Sequence, residues 1–173
     1  MKIDPLCQKI ELILTDVDGV LTDGTIIFDN QGIETKHFFA RDGFGIALWH
    51  RAGHRFGILT SRTSHIVQVR ADELEIEIVR QGFEDKLPVA LEILGQSGLS
   101  AEQVCYIGDD LPDLPVMTMA GLGVAVSDAA VDVRNGADYV TKAGGGRGAV
   151  RETIELILRF QRRWENLIQR YVG

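Results

Sequence analysis

Apolar residues fall along this chain in two recurring patterns. Short unbroken runs at Ile10 to Thr15, Arg55 to Thr60, Ile76 to Arg80, Gln103 to Ile107 and Gly123 to Val126 have the length of strands covered on both faces. Between them, helical spacing predicts helices near Asp42 to Arg51, Ser64 to Leu74, Asp85 to Leu94, Pro112 to Met119 and Ala130 to Asn135, several opening on an Asp or Ser suited to N-capping. A last and longest helix is predicted over Ala149 to Tyr171. There Ile157, Phe160, Trp164 and Leu167 alternate with Arg159, Arg162, Arg163 and Arg170, giving one packed and one solvated face. Strands alternating with helices predict an α/β fold of three layers, Rossmann-like, with a mainly parallel sheet between helices. Thr25 to Phe39 departs from the alternation: two runs flank the turn-forming Asp29-Asn30-Gln31-Gly32, which predicts a β-hairpin. With no internal repeat or linker, a single domain over residues 1–173 is expected, and Gly144-Gly145-Gly146-Arg147-Gly148 is its one low-complexity stretch.

The strand ends carry the chemistry. The first runs into Asp16-Val17-Asp18-Gly19. Side chains two apart on a strand share a face, so both carboxylates converge at the C-terminal end, where open α/β sheets bind ligands. Bare carboxylates there repel each other and resist desolvation. A hard divalent cation removes the conflict, and Mg²⁺ is the usual choice beside a phosphate. Taken alone, the segment also suits a solvated turn; a calcium loop does not fit, since the glycine comes too early and Val17, Val20 and Leu21 are apolar. The second strand leads into Thr60-Ser61-Arg62-Thr63-Ser64, whose hydroxyls and guanidinium can donate to phosphate or carboxylate, with Thr63 or Ser64 as a helix cap. Lys86, at the start of a helix, would in isolation be a surface residue. A further apolar run ends in Asp109-Asp110-Leu111-Pro112-Asp113. One of Asp110 and Asp113 is expected to cap the next helix, which leaves Asp109 unexplained. Asp16, Asp18, Thr60, Lys86 and Asp109 together supply a nucleophile, an acid/base, a hydroxyl donor, a cation and a metal ligand.

Composition narrows the classes without changing this picture. In 173 residues the apolar share is 45% and the formal charge −7, an ordinary globule with no basic face outside the C-terminal region for nucleic acid. Neither a leader nor a bilayer-length apolar run is evident, so a cytoplasmic protein with no membrane partner is expected. Cys7 and Cys105 lack metal-ligand spacing and read as reduced thiols. His50 and His54 have the i, i+4 spacing of a zinc pair but no third ligand, so packing or surface roles are expected; His37 and His65 suggest no role.

In order and spacing, the four motifs over Ile10 to Val126 resemble those of the haloacid dehalogenase-like phosphatase superfamily. Response-regulator receivers share the residue types, but their acidic pair precedes the phosphorylated Asp, whereas here the extra acids come last. Within the superfamily, dehalogenases lack the second Asp and P-type pumps carry Thr there, so Asp18 points to a phosphatase or phosphomutase. The resemblance implies that Asp16 attacks phosphorus to form an aspartyl phosphate, and that Asp18 protonates the leaving alcohol and then activates water. It further implies that Mg²⁺ is held by Asp16, the Asp18 main-chain carbonyl and Asp109, and that Thr60 and Lys86 hold the phosphoryl oxygens. Many members carry a cap domain for which this chain has no room. An uncovered site is wet and unselective, so neighbouring subunits are expected to close it, with the hairpin as the assembly element.

Nearly the whole chain, through Asp16 to Gly24, Arg41 to Ile46, Ile107 to Asp110 with Leu114-Pro115, and Gly144 to Glu152, is similar to the 3-deoxy-D-manno-octulosonate 8-phosphate phosphatase family. That family implies a capless homotetramer serving lipopolysaccharide sugar synthesis, with a glycine-rich segment reaching a neighbouring site. It also implies that Arg62, with Arg41 and Arg147, meets a sugar acid beside Thr60, Ser61 and Lys86, arginine being the better partner for a planar carboxylate. Ser61 stands where that family has Gly, and the long C-terminal helix is a second departure. Phosphatases of nine-carbon sialic-acid 9-phosphates tend to have Glu where Arg62 stands. Another sugar phosphate, or a non-catalytic oligomeric scaffold, are the competing expectations.

Overall fold

The computed structural model describes residues 3–172. Its strands are β1 (Leu12–Thr15), β2 (Ile27–Phe28), β3 (Glu34–Thr35), β4 (Arg55–Thr60), β5 (Ile78–Gln81), β6 (Val104–Gly108), β7 (Leu122–Ala125) and β8 (Tyr139–Val140). Every residue of β1, β6 and β7 is buried, as their unbroken apolar runs require. Six strands form one sheet in the order β5-β4-β1-β6-β7-β8, and all its pairs are parallel. Thr15 pairs with Ile58 on one side and Ile107 on the other. The C-terminal ends of β1, β4 and β6 therefore meet at one sheet edge, which brings Asp16, Thr60 and Asp109 together. The chain order reverses across β1, so this edge is the switch point at which such sheets form their ligand crevice.

The helices are α1 (Asp4–Cys7), α2 (Ala40–Arg51), α3 (His65–Glu73), α4 (Lys86–Ser97), α5 (Leu114–Met119), α6 (Val131–Gly136), α7 (Ala149–Phe160) and α8 (Trp164–Val172). Seven of them pack in two groups, α1, α2 and α8 against α7, and α4 and α6 against α5. Asp42 joins α2 to α7: its carboxylate accepts from the Arg151 amide at 2.7 Å and the Gly148 amide at 3.2 Å, serving free N–H groups at the start of α7. Burial pushes its carboxyl up to about 6, against the pull of those two amides.

Several expectations are corrected. The C-terminal helix is two helices. Arg162 adopts a left-handed φ of 57°, while the Arg163 and Arg162 amides donate to Leu158 and Arg159, a Schellman stop without the customary glycine. Ser64 and Asp85 precede α3 and α4, but their side chains accept no capping hydrogen bond; the Ser64 hydroxyl donates to Glu34 instead. Helix α2 starts at Ala40, so Asp42 lies inside it. The hairpin is present but short, Ile27 opposite Thr35 and Phe28 opposite Glu34, with Asp29 accepting from the Gln31 and Ile33 amides to close the turn. Strand β8 and helix α1 are additions. Both cysteines are buried and free, and no helix among the described residues is long and apolar enough to cross a membrane.

Candidate active site

Asp16 follows β1 directly and is almost fully buried, its Oδ1 accepting from the Val17 amide at 2.7 Å. The other oxygen lies 3.0 Å from Lys86 Nζ. Lys86 is the first residue of α4, yet its side chain turns inward and is 1% exposed. It also donates to Asp113 at 2.6 Å. Burial raises the Asp16 carboxyl first, and Asp113 adds to this; Lys86, Thr60 and the Val17 amide oppose it. For Lys86, burial alone would lower the ammonium, but Asp16 and Asp113 outweigh it and the net direction is upward. The charged lysine thus stays beside Asp16. Thr60, the last residue of β4, is buried against the same group.

Asp109 emerges one residue past β6. Burial, then repulsion from Asp113, Asp16 and Asp110, pushes its carboxyl up to about 8. Its Oδ1 is buried with no hydrogen-bond partner. Ligand atoms of Asp16, Asp109 and Asp113 all lie within 4.8 Å of one another. Asp113, however, is already fully engaged: it accepts from Lys86, from Tyr106 OH at 2.8 Å, and from the Asp109 and Asp110 amides at 2.9 and 3.2 Å. It braces the site, leaving Asp16 and Asp109 as the carboxylates able to ligate a cation. That donor set fits a hard divalent ion, because an unpartnered carboxylate oxygen beside a second carboxylate is what such an ion satisfies. Gly19 allows the approach: at φ 93°, a Cβ there would sit 2.0 Å from Asp109 Oδ2.

Asp18 points to the mouth of the site, paired with Lys36 and, at 3.4 Å, with Arg62 Nε. Together Asp16, Asp18, Thr60, Ser61, Arg62, Lys86 and Asp109 line one open cavity of about 310 Å³. Arg41 and Arg147 are not brought there. They line a separate cavity of about 620 Å³ with Phe44 and Arg151, between α2 and α7. The glycine-rich stretch itself lies against the loop that follows β1 in its own chain: the Gly146 amide donates to Val20 O at 2.9 Å, and a Cβ at Gly145 would meet Gly19 O at 1.8 Å. His50 and His54 form no metal site; His54 stacks on Trp49 and bonds Gln161.

Three participants were not legible as such. Either Asp110 or Asp113 reads as the helix cap, and Asp110 takes that task through the Leu111 amide at 2.8 Å, which leaves Asp113 to the site. Glu34 and Lys36 lie within the predicted hairpin, to which the sequence attaches no site role. Their period-2 spacing, which puts both on one face with opposite charges, was the available signal.

A strand-end aspartate beside a buried lysine, and a second strand-end aspartate with an unpartnered oxygen, form a site at the edge of a parallel sheet that suits metal-assisted phosphoryl transfer. The family model for haloacid dehalogenase-like hydrolases matches residues 55–151, and the chain belongs to that family. Among curated relatives, the 3-deoxy-D-manno-octulosonate 8-phosphate phosphatase of Yersinia pestis is 46% identical over 157 residues, covering 91% of this chain and 84% of the relative. The corresponding phosphatase of Escherichia coli strain K12 is 44% identical over 151 residues, covering 87% of this chain and 80% of the relative. The crystal structure of the Moraxella catarrhalis phosphatase of the same name, in complex with magnesium ion, phosphate ion and KDO, superposes with a TM-score of 0.96. It is 40% identical, with 98% of this chain and 97% of that chain covered.

Proposed function

We propose that this protein is a Mg²⁺-dependent phosphatase that hydrolyses 3-deoxy-D-manno-octulosonate 8-phosphate to the free sugar acid and phosphate, a step of lipopolysaccharide sugar synthesis. The pairing of Asp16 with Lys86 at 3.0 Å, beside the unpartnered Asp109 oxygen, carries the chemistry. Extensive identity to phosphatases named for this substrate carries the choice of sugar. Asp16 attacks phosphorus: its oxygen–phosphorus bond forms as the bond to the C8 oxygen breaks, and Asp18 gives that oxygen a proton. Water then attacks the aspartyl phosphate, Asp18 takes its proton, and the Asp16–phosphorus bond breaks. Lys86 and Thr60 hold the phosphoryl oxygens in line. Mg²⁺, held by Asp16, Asp109 and the Asp18 main-chain carbonyl, supplies charge neutralisation to the phosphoryl group when bound.

At the mouth of the cavity, Arg62 is the partner for the sugar-acid carboxylate, with Ser61 beside it. Arg147 is 72% exposed and Arg41 shares its cavity, and both are assigned to the site of a neighbouring copy. Ile26, Phe28 and Ile33 of the hairpin are 41%, 56% and 58% exposed, which supports assembly through this element into a homotetramer. The chemical reading is tested by incubating the sugar phosphate with wild type, chelator-treated wild type and Asp16→Asn. Phosphate release by the first alone, restored by Mg²⁺ in the second, is expected; turnover by pure Asp16→Asn would eliminate the aspartyl-phosphate route.

A further inference from the structure

Glu34 and Lys36 reach the catalytic cavity from the hairpin. The Lys36 side chain is 1% exposed and pairs with both Asp18 and, at 3.3 Å, Glu34. Arg62 completes the figure, its Nη2 on Glu34 at 2.8 Å and its Nε 3.4 Å from Asp18. Two carboxylates and two cations thus alternate in a closed ring across the boundary between hairpin and sheet. Ser64 fastens Glu34 to the far side at 2.6 Å.

We propose that Lys36 is a positioning residue that fixes the orientation of the Asp18 carboxylate, with Glu34 holding Lys36 and Arg62 in place. The proposal rests on the phosphatase reading and on the acid/base role assigned there to Asp18. Asp18 belongs to the loop after β1, and no backbone amide among the described residues holds its carboxylate, in contrast to Asp16, which has the Val17 amide. Lys36 is the hydrogen-bond donor to it, and Arg62 Nε is its second cation. A proton donor must lie within hydrogen-bond reach of the leaving oxygen, and a displacement of about 1 Å costs on the order of 100-fold. Burying a lysine ammonium and immobilising its long side chain are both unfavourable unless the charge is well paired. Here the pairing is spent on Asp18. The Glu34 carboxyl is held down at about 2, by the Ser64 hydrogen bond first and by Arg62 and Lys36 besides, so Glu34 itself stays ionised throughout the neutral range and can hold both cations. Arg62 meets Asp18 and Glu34 through Nε and Nη2, which leaves Nη1 and the second Nη2 hydrogen for a substrate carboxylate.

If the ring only seated the hairpin, breaking it would slow all phosphate esters alike. A positioning role makes the loss depend on the leaving group, since a good leaving group departs without a proton. The test measures kcat and KM for full-length Lys36→Met and Lys36→Arg on aryl phosphates of increasing phenol pKa and on the octulosonate phosphate. For Lys36→Met, a kcat loss of about 10- to 100-fold is expected on the sugar phosphate, shrinking steadily toward the most activated ester, with KM nearly constant. Lys36→Arg, which keeps charge and donors, recovers most of it. Should Lys36→Met fail to fold by circular dichroism, Lys36→Gln takes its place with the same expectation. An equal loss across the series, or none, overturns the proposal. Failure of wild type on the sugar phosphate would count against the substrate assignment alone, because the aryl series still reads Lys36.

Discussion

Replacing Asp113 with Asn removes one charge without changing shape, at a cost that the surrounding donors set. The carboxylate serves four of them: Lys86 and Tyr106 on one oxygen, the Asp109 and Asp110 amides on the other. An asparagine has one acceptor oxygen and one NH₂, so in either orientation two donors face a donor. Removing one partner of a buried ion pair costs about 3–5 kcal/mol. Lys86 keeps Asp16 at 3.0 Å, and the loss of Asp113's charge relieves repulsion on Asp109 and Asp16, so the lower end applies, about 3 kcal/mol. For a domain of this size that is a fall in Tm of about 6–12 °C. Thermal unfolding by circular dichroism reads it directly. Turnover should also fall by on the order of 100-fold, as Lys86 and Asp109 lose their brace. A Tm within about 2 °C of wild type would refute an inward, fully engaged Asp113.

Gly19→Ala and Gly32→Ala impose similar left-handed strain at φ 93° and 79°, but only the former Cβ meets a neighbour, Asp109 Oδ2 at 2.0 Å. Both should lose about 1–3 kcal/mol, and only Gly19→Ala should also lose turnover and Mg²⁺ affinity by calorimetry; equal activity in the two would discount the contact. Asp42 titrates near 6 in the fold against about 3.9 unfolded, so the folded state binds the extra proton and stability is lost as pH rises from about 4 through 6, by about 3 kcal/mol. Urea unfolding of Asp42→Asn across that window should show a flatter profile than wild type, whatever its absolute stability; parallel profiles would mean that Asp42 is not held in an apolar setting.

Which parts of the molecule could be read in advance depends on the physics of each element. Strands buried on both faces leave unbroken apolar runs, so β1, β4 and β6 announced themselves, and with them the edge where Asp16, Thr60 and Asp109 meet. Strand β8 has two residues at the sheet margin and leaves no such run. The end of α7 was hidden because Arg162 takes the left-handed position without a glycine to mark it. Asp113 resembled a cap because side-chain type does not encode direction. It turns inward under Gly108, where a Cβ would stand 2.4 Å from its own Cβ. The roles of Lys36 and Ser64 were hidden for a shared reason: their partner, Glu34, comes from a hairpin whose docking no local pattern records. Sequence carries the strand-end acids well, whereas the ring of charges that connects them to the hairpin exists only in three dimensions.

The match between this site and one substrate is tested most directly by kcat/KM on a small panel with Mg²⁺ present. The panel comprises 3-deoxy-D-manno-octulosonate 8-phosphate, a nine-carbon sialic-acid-type 9-phosphate and an unactivated sugar phosphate lacking the carboxylate, with Asp16→Asn as the blank. Arg62 at the mouth of the cavity predicts that the octulosonate phosphate leads by at least about tenfold. Release of phosphate from the nine-carbon or carboxylate-free substrate with equal or higher kcat/KM would contradict the account.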